Sequence, residues 1–284
     1  MNSNPGEQST VQHDQAGIDL DSRALLAFFV ISFAICWGII ALYVFLPDLM
    51  ASVFGQLTGN HPLFFTATYA PAIAALLLIV KSAGLPGLRR FLSRLLIWRC
   101  SAGWWLFMIV GLPAVFYLGF ALKGEALDEP FPFPSVGVYL VAVLLMAIKG
   151  PVEEIGWRGL ALPIMQRRLA PFWAGLILGI IWGIWHFPAF LLSGTPQSNW
   201  SFTPFFLGAV AISIIVTVLF NKSRGSILLP AFFHFQLINP LWPDAQPFDT
   251  VLLIVIAGFL TVRHRRSMFA SGDAVTTVIP PGQG

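Results

Sequence analysis

Long apolar runs separated by short polar segments fill the chain from about residue 24 onwards. The first run, about 24 to 45, is long enough at about 1.5 Å per helical residue to cross a hydrocarbon layer about 30 Å thick. The pattern predicts an all-α fold, a polytopic transmembrane helical bundle of about eight spans, of which the last three are short. The predicted spans cover about 24–45, 63–80, 103–122, 135–162, 171–192, 203–220, 227–239 and 248–262.

Polar segments bound this predicted bundle at both ends. Residues 1–20 are polar, mixed in charge and poor in aromatic residues, which predicts a disordered tail. They contain no short apolar region followed by a small-residue cleavage site, so no cleaved signal peptide is predicted. The bundle is expected to occupy residues 21–266, and residues 267–284 are expected to form a flexible C-terminal tail.

The composition supports a membrane protein rather than a soluble one. Hydrophobic residues make up 57% of the chain and charged residues 10%, whereas soluble domains average about 45–50% and about 25%. Membrane lipid is therefore the expected surrounding, and the cell membrane the expected location. Cys36 and Cys100 have no spacing that suggests a disulfide or a metal site, and both are interpreted as structural.

Basic residues occur in alternate loops, which predicts the orientation of the bundle. The segment before span one and the loops after spans two, four, six and eight carry lysine and arginine, whereas the other loops carry only Lys123. Because basic loops stay on the cytoplasmic side, both termini are predicted to be cytoplasmic. The stretch 87–99 alternates basic and apolar residues and predicts an interfacial helix. Basic residues dispersed in this way do not favour nucleic-acid binding.

Once the loops are set aside, few ionisable residues remain inside the predicted spans. A charge at membrane depth costs about 2.5–3.5 kcal/mol on insertion scales, so such residues usually face a protein interior and have a function. These residues are Lys149, Glu153, Glu154, Arg158, His186 and His234.

The stretch KGPVEEIGWRGL, residues 149–160, holds four of them. Gly150 and Pro151 can interrupt the helix or begin a new segment. Glu154 and Arg158 are four residues apart on one helical face, in the order that favours an ion pair. Glu153 points about 100° away and lacks that partner. The stretch alone leaves two interpretations open, a buried ion-pair cluster and a general base at Glu153, and gives Lys149 no clear role.

The two intramembrane histidines change the balance between these interpretations. His186 and His234 lie in predicted spans five and seven, and each alone could simply be hydrogen-bonded to a neighbouring helix. Together with two glutamates on a third span, they are the residue types expected for hydrolysis in a buried wet pocket. Zinc accepts the same types, and Glu153, His186 and His234 would be its ligands if a metal were bound.

These residues resemble a known family. Glu153-Glu154-Ile155-Gly156-Trp157-Arg158 matches the EExxxR motif of the CAAX prenyl protease and bacteriocin-processing (CPBP, or Abi) family of intramembrane proteases. Trp182-Gly183-Ile184-Trp185-His186 resembles its second motif, FxxxH, with Trp in place of Phe, and His234 resembles the histidine of the third, HxxxN. The motifs cover about 140–240, within a CPBP-like core at about 135–262.

The resemblance implies a role for each matched residue. Glu153 would be the catalytic glutamate and Glu154 its neighbour paired with Arg158, with His186 and His234 as the catalytic histidines. The sequence departs from the third motif, because residue 238 is Ile and the nearest asparagine is Asn239. Pro240 biases Asn239 away from helical geometry. Asn239 could still support the oxyanion, Gln236 could replace it, or the donor could be missing.

The leading hypothesis is an integral membrane endopeptidase acting on a peptide or protein substrate, for which the resemblance permits but does not require prenylation. A catalytically inactive scaffold or immunity protein that binds a membrane partner is the alternative, motivated by the departure at Ile238. A transporter or proton relay ranks lowest, because the sequence contains no second copy of GPVEE.

The depth of each site residue in the membrane can be estimated from the helical rise per residue along its span. By this estimate, Glu153, His186 and His234 converge only if span five tilts or starts further into the cytoplasm.

Overall fold

The computed structural model describes residues 20–125 and 131–282. Residues 1–19, which carry nearly all of the predicted N-terminal tail, lie outside these ranges. Within them the chain forms helices and no β-strand, which confirms the all-α prediction. The helices are α1 (Ser22–Phe45), α2 (Pro47–Phe54), α3 (Pro62–Thr68), α4 (Ala70–Leu92), α5 (Ala102–Leu122), α6 (Val136–Lys149), α7 (residues 154–166), α8 (Pro171–Trp185), α9 (Phe202–Lys222), α10 (Leu228–Leu237), α11 (Phe248–Arg263) and α12 (Arg265–Met268).

Each predicted span contains a helix, and six stretches of the described chain are long and apolar enough to cross a membrane. They are Ser22–Phe45, Ala70–Leu96, Ala102–Leu122, Val136–Gln166, Pro171–Leu191 and Phe202–Lys222. Helix α10 has 10 residues, about 15 Å at 1.5 Å per residue, too short for a hydrocarbon layer about 30 Å thick. Helix α11 has 16 residues and reaches about 24 Å. The bundle is therefore polytopic, with α10 confined to part of its depth.

The second span differs from the prediction at both ends. Residues 62–68 form the separate helix α3, and α4 continues beyond residue 80 to Leu92. Gly84 bends α4 at φ 59°, a conformation that favours glycine, and Pro86 follows it. The stretch expected to lie in the headgroup plane is thus the last part of α4 and a 3₁₀ turn, and its Arg94 is 2% exposed.

The bundle has two chemically different ends. One end, which we call the basic end, is formed by five segments: residues 20–23, 89–100, 167–170, 222–227 and 263–282. Contacts between these segments include Arg167 with the Leu20 carbonyl and Ser226 with the Ile97 carbonyl. The other end, which we call the loop end, is formed by four segments: residues 46–61, 123–125, 192–201 and 239–247. Here Gly59 bonds Gly194, and Lys123 bonds Asp244 at 2.9 Å.

Helices α8 and α9 pack closely because small residues face each other. A β-carbon on Gly175 would lie 2.5 Å from the Thr217 hydroxyl, and one on Gly179 would lie 2.8 Å from the Val210 α-carbon. Only glycine permits this distance, as in other tightly packed membrane helices. The hydroxyl of Ser213 also donates to the Gly175 carbonyl at 2.8 Å. This packing fixes the position of α8, which is followed directly by His186.

The C-terminal segment, predicted to be a flexible tail, lies against the basic end over the residues that the structure describes. Val278 is 2% exposed, and its carbonyl accepts a hydrogen bond from Arg94 at 2.9 Å. The carbonyl of Val275 accepts from Gln166 at 2.8 Å, and its amide donates to Asn221 at 2.9 Å. The composition of the segment gave no sign of these contacts, because its partners are polar residues buried elsewhere in the chain.

Candidate active site

A cavity of about 410 Å³ opens between the helices, and four of the predicted site residues line it: Glu153, His186, His234 and Asn239. Glu153, His186 and His234 come from three different spans and face this one space. Its walls are otherwise mostly apolar and include Ile40 and Phe205. The three residues therefore lie around one space, and the pocket combines an apolar wall with a few polar groups, as small-molecule and peptide sites commonly do.

An interrupted helix presents the two glutamates. Helix α6 ends at Lys149, a 3₁₀ turn spans Gly150–Glu153, and α7 then begins at Glu154. Pro151 lacks an amide hydrogen and so breaks the regular α-helical bonding here. A π-helical turn, Trp157–Ala161, follows within α7, a distortion often found at functional sites. As a result Glu153 lines the cavity, whereas Glu154 does not.

Glu153 is buried, with 3% of its surface exposed. Its Oε2 accepts a hydrogen bond from the Trp182 indole nitrogen at 2.9 Å. The same oxygen lies 3.9 Å from His186 Nε2, too far for a direct hydrogen bond. Glu153 thus keeps hydrogen-bonding capacity toward the cavity and toward His186.

The protonation of His186 follows from its partner. Its Nδ1 lies 2.8 Å from the Trp182 carbonyl oxygen. A carbonyl only accepts, so Nδ1 carries the proton, and Nε2 of the neutral ring holds a free lone pair. His186 therefore turns an acceptor toward Glu153 Oε2, and a molecule that bridges the two atoms must donate to both.

Glu154 makes a separate buried network. Its Oε1 accepts from Arg158 Nη1 at 3.0 Å, which confirms the predicted ion pair. The same oxygen lies 2.8 Å from His234 Nδ1, a contact that spacing did not predict. An ionised carboxylate only accepts, so Nδ1 of His234 carries a proton and Nε2 remains for the cavity. A β-carbon on Gly150 would lie 2.7 Å from this Nε2, so glycine is needed beside it.

Trp182 joins the two networks. Its indole N–H holds Glu153, and the guanidinium carbon of Arg158 lies 4.9 Å from its ring centre, within the range of a cation–π contact. Its ring also packs edge-on against His186 at 5.3 Å and His234 at 5.5 Å between centroids. Trp182 was seen in the sequence only as a variant of a motif phenylalanine, so its central position was missed.

The depths of the three residues agree because α10 starts inside the bundle. The buried Arg94 donates to the carbonyls of Gly159 and Gly225 at 2.7 and 2.8 Å, and its own carbonyl accepts from Ile227. These bonds place the start of α10 level with the middle of α7. His234 is thereby carried toward the depth of Glu153, and both residues line the cavity.

Asn239 reaches the cavity although it stands one position after the motif asparagine. Helix α10 ends at Leu237, so the 100° spacing of a regular helix no longer applies to Asn239, which lines the same cavity as His234. The side chain of Asn239 donates to Gln236 at 3.2 Å and accepts from the Leu241 amide at 3.1 Å. Gln236 donates to the Met108 carbonyl at 2.9 Å and is not part of the cavity wall.

Lys149 also lines the cavity. Its Nζ donates to Asn60 at 3.1 Å and lies 5.0 Å from the centre of the Phe65 ring. Lys149, which had no clear role in the sequence, is thus held at the cavity wall by residues that lie near the loop end.

The residues do not fit the zinc set considered from the sequence. Over residues 20–125 and 131–282, no three His, Cys, Asp or Glu side chains are grouped to hold one metal ion. No step of the chemistry below is therefore assigned to a metal.

Comparison with known proteins agrees with this arrangement. Residues 135–239, which contain every site residue described above, match the family model for type II CAAX prenyl endopeptidase, Rce1-like. The chain is also 28% identical over 226 residues to CAAX prenyl protease 2 of Methanococcus maripaludis, covering 70% of this chain and 80% of that protein. These likenesses, together with the six apolar spans, indicate a multi-pass membrane endopeptidase of the CAAX prenyl protease type.

Proposed function

We propose that the protein hydrolyses a peptide bond with a water molecule activated between Glu153 and His186. The observation that carries this proposal is the pair of acceptors, Glu153 Oε2 and His186 Nε2, which lie 3.9 Å apart and line the cavity. One water can donate a hydrogen to each atom, since both bonds would have ordinary length. Its oxygen lone pairs would then face the substrate, as nucleophilic attack requires.

Glu153 acts as the general base in this mechanism. The water oxygen bonds to the scissile carbonyl carbon while one water proton passes to Glu153. The tetrahedral intermediate then collapses, the C–N bond breaks, and the leaving nitrogen takes the proton back from Glu153. The hydrogen bond from Trp182 holds the carboxylate in place throughout, which is a positioning role.

His234 is proposed to stabilise the oxyanion. Its Nδ1–H is held by Glu154, which is itself paired with Arg158, so the ring is fixed with Nε2 beside Gly150. The protonated ring would donate Nε2–H to the oxygen that becomes negative in the intermediate. Asn239 is a candidate for a second donor because it lines the same cavity, although its known contacts face the turn after α10.

A peptide that ends in a prenylated cysteine motif is the substrate proposed for the first cleavage assay. The names of the matched family and of the archaeal relative support this choice. The apolar cavity wall, which includes Ile40, Phe64 and Phe205, offers a surface suited to an isoprenoid chain.

The test is cleavage of a quenched fluorescent peptide of this type by the purified protein in detergent. Glu153→Gln keeps the size and the acceptor for Trp182 but cannot accept the water proton, so turnover should be lost while the protein stays folded. Glu125→Gln is the matched control, because Glu125 is exposed near the loop end. Equal turnover by wild type and Glu153→Gln would refute the proposal.

A catalytically inactive scaffold is the second candidate. The observation in its favour is Ile238 at the position of the motif asparagine, with Asn239 engaged by Gln236 and Leu241. If the wild type cleaves no peptide and Ile238→Asn stays equally inactive, the scaffold is supported. A gain of cleavage in Ile238→Asn would count against it.

A further inference from the structure

The cavity lies wholly toward the loop end of the bundle. Its rim is formed by loop residues of that end, including Gln197, Trp200, Asp244 and Gln246. Asp244 is exposed, and the other three are half-buried, so the cavity meets the surface here. None of the residues that line it belongs to the segments of the basic end.

The half of the bundle toward the basic end is closed. Glu153 lies 13 residues before the end of α7, and His186 lies 15 residues after the start of α8, which is about 20 Å of helix in each case. The intervening space is filled by side chains that are fully buried, among them Trp157, Arg158 and Leu160. Protein interiors of this kind leave no path for a peptide.

The charges assign the two ends to the two sides of the membrane. All lysines and arginines except Lys123, Lys149 and Arg158 lie in the basic end or in the half of α4 that leads to it. Basic loops are retained in the cytoplasm. The basic end therefore faces the cytoplasm, and the mouth of the cavity faces away from it.

We propose that substrates reach Glu153 from the non-cytoplasmic side, so that the physiological substrate is an exported peptide or a membrane-protein segment presented at the outer leaflet. This inference rests on the proposed peptidase function. A prenylated protein in the cytoplasm meets the closed end of the bundle, so a prenylated peptide serves as a laboratory probe of the same site.

The charge of the rim also restricts which residues can flank the cleaved segment of the substrate. The carboxylates of Asp244 and Asp249 line it, and Lys123 neutralises part of this charge by binding Asp244 at 2.9 Å. An apolar segment with an uncharged or basic flank fits this rim, whereas an acidic flank is repelled.

Cysteine labelling tests the orientation without any need for activity. Asn199 is exposed in a loop of the loop end, and Ser271 is exposed at the basic end. The native Cys36 is buried and Cys100 is half-buried, so the wild type gives the baseline. A membrane-impermeant maleimide should label Asn199→Cys in intact cells and Ser271→Cys only after permeabilisation. The reverse pattern would overturn the inference.

Sided vesicles test the route of the substrate. A membrane-impermeant quenched peptide is added to right-side-out and to inside-out vesicles, and detergent then releases the total activity of each. Right-side-out vesicles should show most of their activity before detergent, and inside-out vesicles only after it. Activity confined to inside-out vesicles would refute the outer route but leave the peptidase function intact. No activity in detergent would refute the peptidase function, and the labelling would still decide the orientation.

Discussion

Replacing each of the two adjacent glutamates by glutamine should affect stability differently, with a clear loss for Glu154→Gln and little change or a gain for Glu153→Gln. Glu154→Gln removes the counter-charge of Arg158, which is 0% exposed and whose Nη1 donates to Glu154 at 3.0 Å. Nε and Nη2 of Arg158 have no hydrogen-bond partner among the described residues. Removing one partner of a buried pair costs about 3–5 kcal/mol. Because the amide keeps one acceptor oxygen, a loss of about 3 kcal/mol is expected.

Glu153→Gln should leave stability within about 1 kcal/mol of wild type or raise it. The carboxylate of Glu153 has no lysine or arginine within ion-pair distance among the described residues. An uncharged amide keeps the acceptor for Trp182 and removes the cost of burying a charge.

The assay is thermal unfolding of both variants in the same detergent, with Glu125→Gln as control. The midpoint should fall clearly for Glu154→Gln and stay at or above the wild-type value for Glu153→Gln. Equal destabilisation by the two substitutions, or a larger loss for Glu153→Gln, would refute the assignment of Arg158 and His234 to Glu154 alone.

Two further predictions concern residues that hold the site. Trp182→Phe loses the indole donor to Glu153 and should lower kcat about 10- to 100-fold with little change in KM, because a charged hydrogen bond contributes about 1.5–3 kcal/mol. Steady-state kinetics measure this, with Trp173→Phe as control, since Trp173 is 49% exposed and does not line the cavity. An unchanged kcat would refute the positioning role. Arg94→Met leaves three carbonyls without their donor and should cost at least about 3 kcal/mol, at about 1–3 kcal/mol per buried acceptor. Limited proteolysis should then cut residues 267–282 faster than in the exposed control Arg89→Met, and equal cutting would contradict the contact.

The sequence predicted what depends on local spacing. Apolar runs identified the helices, and the four-residue spacing identified the ion pair between Glu154 and Arg158. The separation of Glu153 from that pair also followed from the geometry of one helical turn. These features need only residues close together in the chain.

The rest depends on contacts between distant segments. His234 binds Glu154 across 80 positions, and Trp182 reaches Glu153 across 29. Arg94 was expected in a surface helix, yet it is buried and sets the depth of α10 through carbonyls from three segments. No periodicity in the chain reports such bonds, so the tail contacts and the second histidine network became visible only in the fold.

The central claim is that a water held by Glu153 and His186 attacks the substrate directly. Single-turnover cleavage in H₂¹⁸O, with mass spectrometry of the product and of the Glu153 peptide, tests it most directly. Direct attack predicts one ¹⁸O in the new product carboxylate and none in Glu153. An unlabelled product with ¹⁸O in the Glu153 carboxylate would show that Glu153 attacks as a nucleophile and would contradict the account.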